Sequence, residues 1–268
     1  MAFARRWPDP PDAEVAGLFA AVLAYGRVDL FRPALDALGA RMASAGGPRA
    51  WVEGLDPRAE VPALAGAAYR WTRPAHLAAL GLAVRGALVD HGSLGTCFAA
   101  GLPGDLRTAL ETIASALRAR LLAAAPAVGL PPGPWPRMPS GVRHLLPAPS
   151  GGSACKRLAL FLRWMARPDD GVDLGLWRAP APPDLVIPLD VHVLRLARRL
   201  GLTRHRAATW DAAVDVTRAL ALVDPADPVR FDFALAHLGI SGACTGHPGD
   251  CTACALAGAC DPGAIPPV

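Results

Sequence analysis

The sequence predicts an all-α fold. Apolar residues recur at helical spacing through most of the chain, and the clearest stripe is Leu106, Leu110, Ile113, Leu117 and Leu121. No stretch combines sustained apolar–polar alternation with β-branched residues, which is the pattern typical of strands. Glycine and proline separate the periodic segments, and the pattern indicates about ten helices.

The composition excludes a membrane-spanning chain. Hydrophobic residues make up 52% of the 268 residues, but no apolar run reaches the ~20 residues that a membrane span needs. The first residues carry arginines with no apolar stretch behind them, so no signal peptide is visible. A soluble, intracellular protein is expected. The net charge of +4 permits a polyanionic partner without requiring one.

The N-terminal half is predicted to hold four helical segments. Residues 13–43 read as two helices, which Tyr25-Gly26-Arg27 separates. Further helices are predicted at 76–89 and 106–122. The stretch 126–149 is rich in proline and glycine and is predicted to be a loop with one short helical turn.

The C-terminal half continues the helical pattern. Between its first two helices lies a polar insertion, 169–183, that carries Trp177. Asp190 is the expected N-cap of the second helix, and Gly201 ends that helix. The predicted helices are 153–166, 190–200, 210–223 and 228–238.

Lys156 and Asp190 are the candidate catalytic residues. Lys156 is the only lysine, and the other 26 of the 27 basic Lys and Arg residues are arginine. Only a lysine can lose its proton and act as an amine nucleophile. Its position early in a helix, together with partial burial, favours the neutral amine. The alternatives are a lysine without function and an Asp190 that only caps its helix.

Four cysteines lie close together near the C-terminus. Cys244, Cys251, Cys254 and Cys260 have the spacing C-x6-C-x2-C-x5-C. This spacing departs from a zinc ribbon with two C-x2-C knuckles and from the ferredoxin run. Disulfides do not suit an intracellular chain. The residues alone therefore leave two cofactors open, a [4Fe–4S] cluster and a zinc ion.

The cysteine tail resembles the cluster loop of a known enzyme family. All four spacings match the endonuclease III and adenine-glycosylase branch of the helix-hairpin-helix DNA glycosylases. In that family a [4Fe–4S] cluster shapes a loop that meets the DNA backbone. The resemblance implies that the loop 244–260 holds a [4Fe–4S] cluster, with zinc as the alternative.

The region around Lys156 and Asp190 resembles the same superfamily. There, a catalytic lysine follows a hairpin, and a catalytic aspartate opens a later helix. Here Gly151-Gly152-Ser153 precedes Lys156, and Ile187-Pro188-Leu189 precedes Asp190. The hairpin is longer than the usual L-P-G-V-G-x-K. The lysine lies 34 residues before the aspartate, a separation similar to that of archaeal 8-oxoguanine glycosylases and of a related uncharacterised bacterial family.

The resemblance implies a fold and a function. The fold would be two helical lobes, one of residues 26–185 and one joining 1–25 to 186–268. The activity would be that of a bifunctional DNA glycosylase and abasic-site lyase of base-excision repair, removing an oxidised purine such as 8-oxoguanine. The enzyme would act on double-stranded DNA as a monomer in the bacterial cytoplasm, at the nucleoid. Alternatives are a monofunctional glycosylase in which Asp190 activates water, a non-catalytic nucleic-acid-binding module, and a zinc-stabilised structural protein.

Further residues are candidates for contacts with DNA. Phosphates would be held by N–H groups before the Lys156 helix and by nearby arginines. Two residues are candidates for contacting the excised base. Structural alternatives are a solvated helix face for the arginines and core packing for the tryptophan. The phosphate candidates are Gly151, Gly152, Ser153, Arg157, Arg195 and Arg199, and the base candidates are Asp232 and Trp177.

Overall fold

The computed structural model describes residues 2–102, 104–240, 244, 251, 254 and 256–260. These residues form twelve α-helices and several short 3-10 helices, and none of them lies in a β-strand. The all-α prediction is therefore confirmed. Within the same residues, no helix is both long enough and apolar enough to cross a membrane.

The chain divides into two compact units. The first comprises Met1–Ala148 and Trp164–Ala179, and the second comprises Pro149–Arg163 and Pro180–Val268. These boundaries differ from those of the predicted lobes. Residues 1–25 group with the first unit because the helix Pro10–Leu23 packs on the helices that directly follow it. Lys156 belongs to the second unit, together with Asp190.

The first unit contains eight of the described helices. Four of them have proline at their first position, where the missing N–H group costs no hydrogen bond. A Gly92 in the positive-φ region ends the fifth helix. The helices are α1 Pro10–Leu23, α2 Val28–Ser44, α3 Pro48–Glu53, α4 Pro57–Ala63, α5 Pro74–His91, α6 Leu94–Ala99, α7 Leu106–Ala124 and α8 Ser140–Leu145.

The second unit is built on the remaining four helices. They are α9 Lys156–Ala166, of which residues up to Arg163 belong to this unit, α10 Val191–Arg199, α11 Trp210–Ala221 and α12 Asp232–Ile240. The buried residues Leu194, Val216 and Leu235 belong to the apolar sides of the last three. The residues before α12 form a 3-10 helix, Pro228–Phe231, where the sequence predicted an α-helix.

An extended segment leads into α10 and fixes its start. Leu185 and Ile187 are buried in this segment. The backbone N–H of Ile187 donates a 3.0 Å hydrogen bond to Oγ1 of Thr217 on α11, and that hydroxyl donates to the carbonyl of Ala213 at 2.7 Å. A buried backbone N–H is thereby satisfied without a neighbouring strand. This hydrogen bond ties the segment to α11 and so fixes the position of Asp190, three residues later.

Candidate functional site

Lys156 and Asp190 meet in the structure. Nζ of Lys156 lies 3.0 Å from Oδ2 of Asp190, within ion-pair distance. The lysine side chain is 34% exposed and the aspartate side chain 18% exposed. The pair is therefore partly desolvated, and about a third of the lysine side chain remains exposed to solvent. This juxtaposition joins two residues that are 34 positions apart in the sequence.

The two carboxylate oxygens of Asp190 make different contacts. Oδ1 accepts hydrogen bonds from the backbone N–H groups of His192 and Val193, both at 2.9 Å, and so caps α10. Oδ2 is the oxygen that contacts Lys156. Burial acts to raise the pKa of the carboxyl, but the charge of Lys156 and the N–H of Val193 outweigh it and lower the pKa below its ordinary value. Asp190 is therefore ionised at neutral pH.

Lys156 is the first residue of α9, where the sequence predicted a start at Ser153. The preceding residue, Cys155, is buried and has a φ of 51°, in the left-handed region. Its N–H donates to Oγ of Ser153 at 3.0 Å, and its carbonyl accepts the N–H of Ala159 at 2.9 Å. A left-handed residue at this point turns the chain into the helix, so that Lys156 begins it.

The strain at Cys155 leads to a testable prediction. Glycine adopts a positive φ without steric cost, whereas alanine pays about 1 kcal/mol there. We expect Cys155→Gly to have a higher free energy of unfolding than Cys155→Ala, by about 1 kcal/mol in urea titrations. This order is the reverse of the usual one for helical positions. An alanine variant at least as stable as the glycine variant would show that the backbone here is not strained.

A second, buried ion pair shares the surroundings of the first. Nη1 of Arg163, on α9, lies 2.5 Å from Oδ2 of Asp232, the first residue of α12. Their side chains are 4% and 6% exposed. Burial raises the pKa of Asp232 to about 6, against the charge and hydrogen bond of Arg163. The charge of Lys156 also lowers this pKa, and that of Asp190 raises it.

From the sequence, Asp232 is a candidate for contacting the excised base, and no role is predicted for Arg163. The carboxylate of Asp232 is buried on Arg163, so it does not present itself to a base at the surface. A signal for Arg163 was available in the sequence. It lies seven residues after Lys156, and a separation of seven residues puts two side chains on the same helix face.

The residues predicted to cradle a phosphate lie before α9 and outside it. Gly151 and Gly152 are exposed, and a Cβ built on either meets nothing within 4 Å. The N–H of Gly152, however, donates to the carbonyl of Pro149 at 2.9 Å in a 3-10 turn. Oγ of Ser153 accepts from Cys155. The N–H of Gly152 and Oγ of Ser153 are therefore both engaged in the local turn. Neither is a free N–H group at the start of a helix.

The three arginines predicted to contact phosphates differ in their exposure to solvent. Arg157 and Arg199 are buried, at 8% and 2% exposed, so their guanidinium groups do not line the surface. Arg195 is half-buried, and its Nη2 donates to the carbonyl of Cys244 at 3.2 Å and to that of Gly239 at 3.4 Å. Long arginine stems pack well in apolar surroundings, which sequence pattern alone does not distinguish from exposure.

Trp177 lies in the first unit and is partly buried. Its indole Nε1 donates to Oε1 of Glu14 at 2.7 Å, and its ring stacks on Phe98 with centroids 5.7 Å apart. The same Glu14 carboxylate accepts the N–H groups of Leu94 and Gly95 at the start of α6. Trp177 therefore completes the hydrogen bonding of a buried carboxylate. Packing of this kind is the structural alternative to base contact that the sequence left open for Trp177.

The described cysteines of the C-terminal segment are partly buried thiols with no disulfide. Burial raises the pKa of the Cys260 thiol, the charge of Arg199 lowers it, and Cys251, Cys244 and Cys254 raise it further. Four thiolates are a donor set that suits an iron–sulfur cluster or zinc. Among the described residues, no three His, Cys, Asp or Glu side chains form a preassembled metal site.

Comparison with known proteins identifies the family. A search of curated proteins and a search of solved structures both gave no match. The family model described as "Protein of unknown function (DUF2400)" matches residues 1–241. The match includes Lys156, Asp190, Arg163 and Asp232, and it ends before Cys244. It covers most of the chain, and the protein therefore belongs to the DUF2400 family.

Proposed function

We propose that this protein is a bifunctional DNA glycosylase and abasic-site lyase that removes an oxidised purine, such as 8-oxoguanine, from double-stranded DNA. The observation that carries the proposal is the 3.0 Å contact between Nζ of Lys156 and Oδ2 of Asp190. An amine on a partly exposed side chain, beside an ionised carboxylate, is suited to Schiff-base chemistry at a sugar carbon. The proposal includes a two-lobed helix-hairpin-helix fold, action as a monomer, and a place in the bacterial cytoplasm at the nucleoid.

The chemistry uses both members of the pair. Asp190 accepts a proton from the Lys156 ammonium, and the neutral amine then attacks C1′ of an extruded nucleotide. The new C–N bond replaces the glycosidic bond, and the base leaves with the bonding electrons and takes up a proton. Opening of the sugar gives an iminium. Loss of a C2′ proton then expels the 3′ phosphate and nicks the strand. Asp190 passes the accepted proton to the departing base, and the carboxylate so restored stabilises the positive charge of the iminium.

Binding to DNA is assigned to basic residues that are exposed. Arg204 and Arg206 follow α10 and are exposed, whereas Arg157 and Arg199 are buried. His205 lies between the exposed pair and contacts Oδ2 of Asp215 at 3.1 Å. Contacts of this kind neutralise phosphates and do not read sequence, so affinity should fall steeply as salt rises. The open turn at Gly151 and Gly152 is the place where a backbone can approach without a side chain in the way.

The cysteine segment is assigned to a [4Fe–4S] cluster. Cys244, Cys251, Cys254 and Cys260 would hold it, and the cluster would supply structural order to the segment. We expect protein purified without oxygen to contain about four iron and four labile sulfide per chain. Cys254→Ala is expected to lose both, and Cys97→Ala, which changes a buried cysteine of the first unit, should lose neither. One zinc per chain without iron would contradict this assignment.

A panel of single-lesion duplexes tests the proposed function. Each duplex carries 8-oxoguanine, another oxidised base or an abasic site, and base release is scored separately from nicking without alkali. A bifunctional enzyme releases the base and nicks the strand in one incubation. Base release without nicking would favour the monofunctional alternative, in which Asp190 activates water. Neither product on any lesion, with DNA binding intact, would favour a non-catalytic nucleic-acid-binding module.

A further inference from the structure

A two-residue turn in the first unit carries Arg70 and Trp71 at its tip. The residues on either side pair with each other: the N–H of Tyr69 donates to the carbonyl of Thr72 at 3.0 Å, and the N–H of Thr72 donates to the carbonyl of Tyr69 at 2.8 Å. Both tip residues are exposed. Turns of this length favour glycine, asparagine and aspartate at the tip. Turn formation alone therefore does not explain an arginine and a tryptophan there.

Arg70 presents its cation from a strained backbone position. Its φ is 50°, in the left-handed region that side chains with a Cβ rarely adopt. The guanidinium lies beside Gly26, because a Cβ built on that glycine would be 3.0 Å from Cζ of Arg70, and it lies 5.7 Å from the ring centroid of Tyr69. Among the residues that the structure describes, no carboxylate pairs with Arg70. Strained residues cluster at functional sites, and this one carries an unneutralised charge.

Trp71 offers a large aromatic surface next to this cation. It is 44% exposed, although its indole has aromatic neighbours. The indole stacks on Tyr25, with centroids 5.3 Å apart and 11° between the planes, and it meets His144 at a centroid distance of 5.1 Å with the planes nearly perpendicular. These contacts fix the orientation of the ring. Nearly half of Trp71 nevertheless remains open to solvent.

The turn is held firmly from beneath. The hydroxyl of Tyr25 donates to the carbonyl of Tyr69 at 2.8 Å, and the hydroxyl of Tyr69 donates to the carbonyl of Tyr25 at 2.8 Å. A Cβ built on Gly141 of α8 would collide with the carbonyl oxygen of Trp71, so the two backbones are in close contact. A rigid, exposed ring loses little conformational entropy when a ligand stacks on it.

The surroundings of the turn are basic. Arg27 follows Gly26, Arg73 follows Thr72, and both arginines are exposed. Arg27 pairs with Asp29 at 2.7 Å, but an ion pair as exposed as this one contributes little. An aromatic face beside cations is the combination that binds single-stranded nucleic acids. Sugars and proline-rich peptides also pack on tryptophan, but neither calls for a cation beside the ring.

We propose that the Arg70–Trp71 turn is a binding site for an unpaired nucleotide of a DNA strand, whose base stacks on the indole of Trp71 and whose phosphate contacts the guanidinium of Arg70. Stacking of this kind accepts any base, because every base has a π-face. The site uses neither Lys156 nor Asp190, and it therefore goes beyond the proposed function. The choice of DNA over RNA rests on that function, whereas recognition of a base and its phosphate does not.

Photocrosslinking of the full-length wild type tests the stacking contact without any variant. The probe is a 15-nucleotide oligothymidylate in which one thymidine is replaced by 5-iododeoxyuridine, a photoreactive base that couples to aromatic rings stacked on it. Mass spectrometry of the digested complex locates the adduct. We expect it on the peptide that contains Trp71. Adducts found only on other peptides would overturn the proposal.

Affinities of a fluorescent oligothymidylate, measured by polarisation, separate the two contacts. Trp71→Ala should weaken binding by about tenfold or more, and Trp71→Phe, which keeps a ring, should retain most of the affinity. Arg70→Gly relieves the backbone strain and removes the cation, so it should lower the slope of log affinity against log salt by about one. Arg70→Lys keeps the charge and should keep the slope.

Trp135→Ala is the matched control. Trp135 is another tryptophan of the first unit with an arginine over its ring, Arg118 at 4.8 Å, and its loss should leave the affinity for oligothymidylate unchanged. An equal loss in Trp71→Ala and Trp135→Ala, or no loss in Trp71→Ala, would overturn the proposal. Tighter binding of an oligouridylate of the same length would overturn the assignment to DNA. A wild type inactive on every lesion would refute the proposed function and leave these results standing.

Discussion

Lys156→Gln is expected to abolish the covalent complex that borohydride forms between this protein and damaged DNA. In the proposed mechanism the amine of Lys156 bonds to C1′, and the sequence contains no second lysine to replace it. Trapping is measured as a slow-migrating protein–DNA band on a denaturing gel. The expected loss of the covalent complex is complete.

Lys156→Arg is the matched control for this substitution. Arginine keeps a positive charge beside Asp190 but cannot become a neutral amine near neutral pH. It should therefore bind DNA nearly as well as the wild type and still fail to form the covalent complex. A covalent complex that persists in the glutamine or the arginine variant would refute the role of Lys156 as the nucleophile.

Asp190→Asn is expected to slow base excision by about 100- to 1000-fold while keeping the cap of α10. Asparagine caps helices about as well as aspartate, so Oδ1 can still accept the N–H groups of His192 and Val193. What is lost is the negative charge at Oδ2, 3.0 Å from the lysine. Single-turnover rates on a lesion duplex measure the first effect, and urea unfolding measures the second.

Asp190→Ala separates capping from catalysis. It removes the cap as well as the charge and should lower the free energy of unfolding by about 1 kcal/mol relative to Asp190→Asn. If Asp190 were only a helix cap, the asparagine variant would excise bases at the wild-type rate and the alanine variant alone would be impaired. That pattern would contradict a catalytic role.

Acid should destabilise the fold in part by protonating Asp190. The pKa of the Asp190 carboxyl is lowered in the folded protein, so its ionised form stabilises the fold above its unfolded pKa, and this contribution is lost as the pH falls through the folded value. The loss therefore occurs below the ordinary aspartate range, about pH 4. Asp190→Asn should lack this part of the acid destabilisation.

Much of the fold followed from local sequence pattern. The α7 stripe and the break at Gly26 between α1 and α2 are local features, and the structure has both. The division into units was not local. The grouping of residues 1–25 with the first unit depends on packing between whole helices, which periodicity does not specify. The start of α9 at Lys156 depends on the left-handed backbone of Cys155. A cysteine in the sequence does not predict this conformation.

The candidate site was predictable in part. A unique lysine and a helix-capping aspartate were visible in the sequence, and the structure places them in contact. The Arg163–Asp232 pair joins residues 69 positions apart, and no pattern paired them. Thr217, which anchors the segment before Asp190, also contributes through a single long-range hydrogen bond. Exposure of arginines was the least predictable property, because Arg199 lies in a basic stretch and is nevertheless buried.

A Schiff base between Lys156 and a damaged nucleotide can be located by mass spectrometry of the borohydride-trapped complex, after digestion of the protein and of the DNA. We expect a nucleotide adduct on the one peptide that contains Lys156. An adduct confined to the N-terminal amine, or no adduct with 8-oxoguanine or abasic duplexes while lesion binding persists, would contradict it.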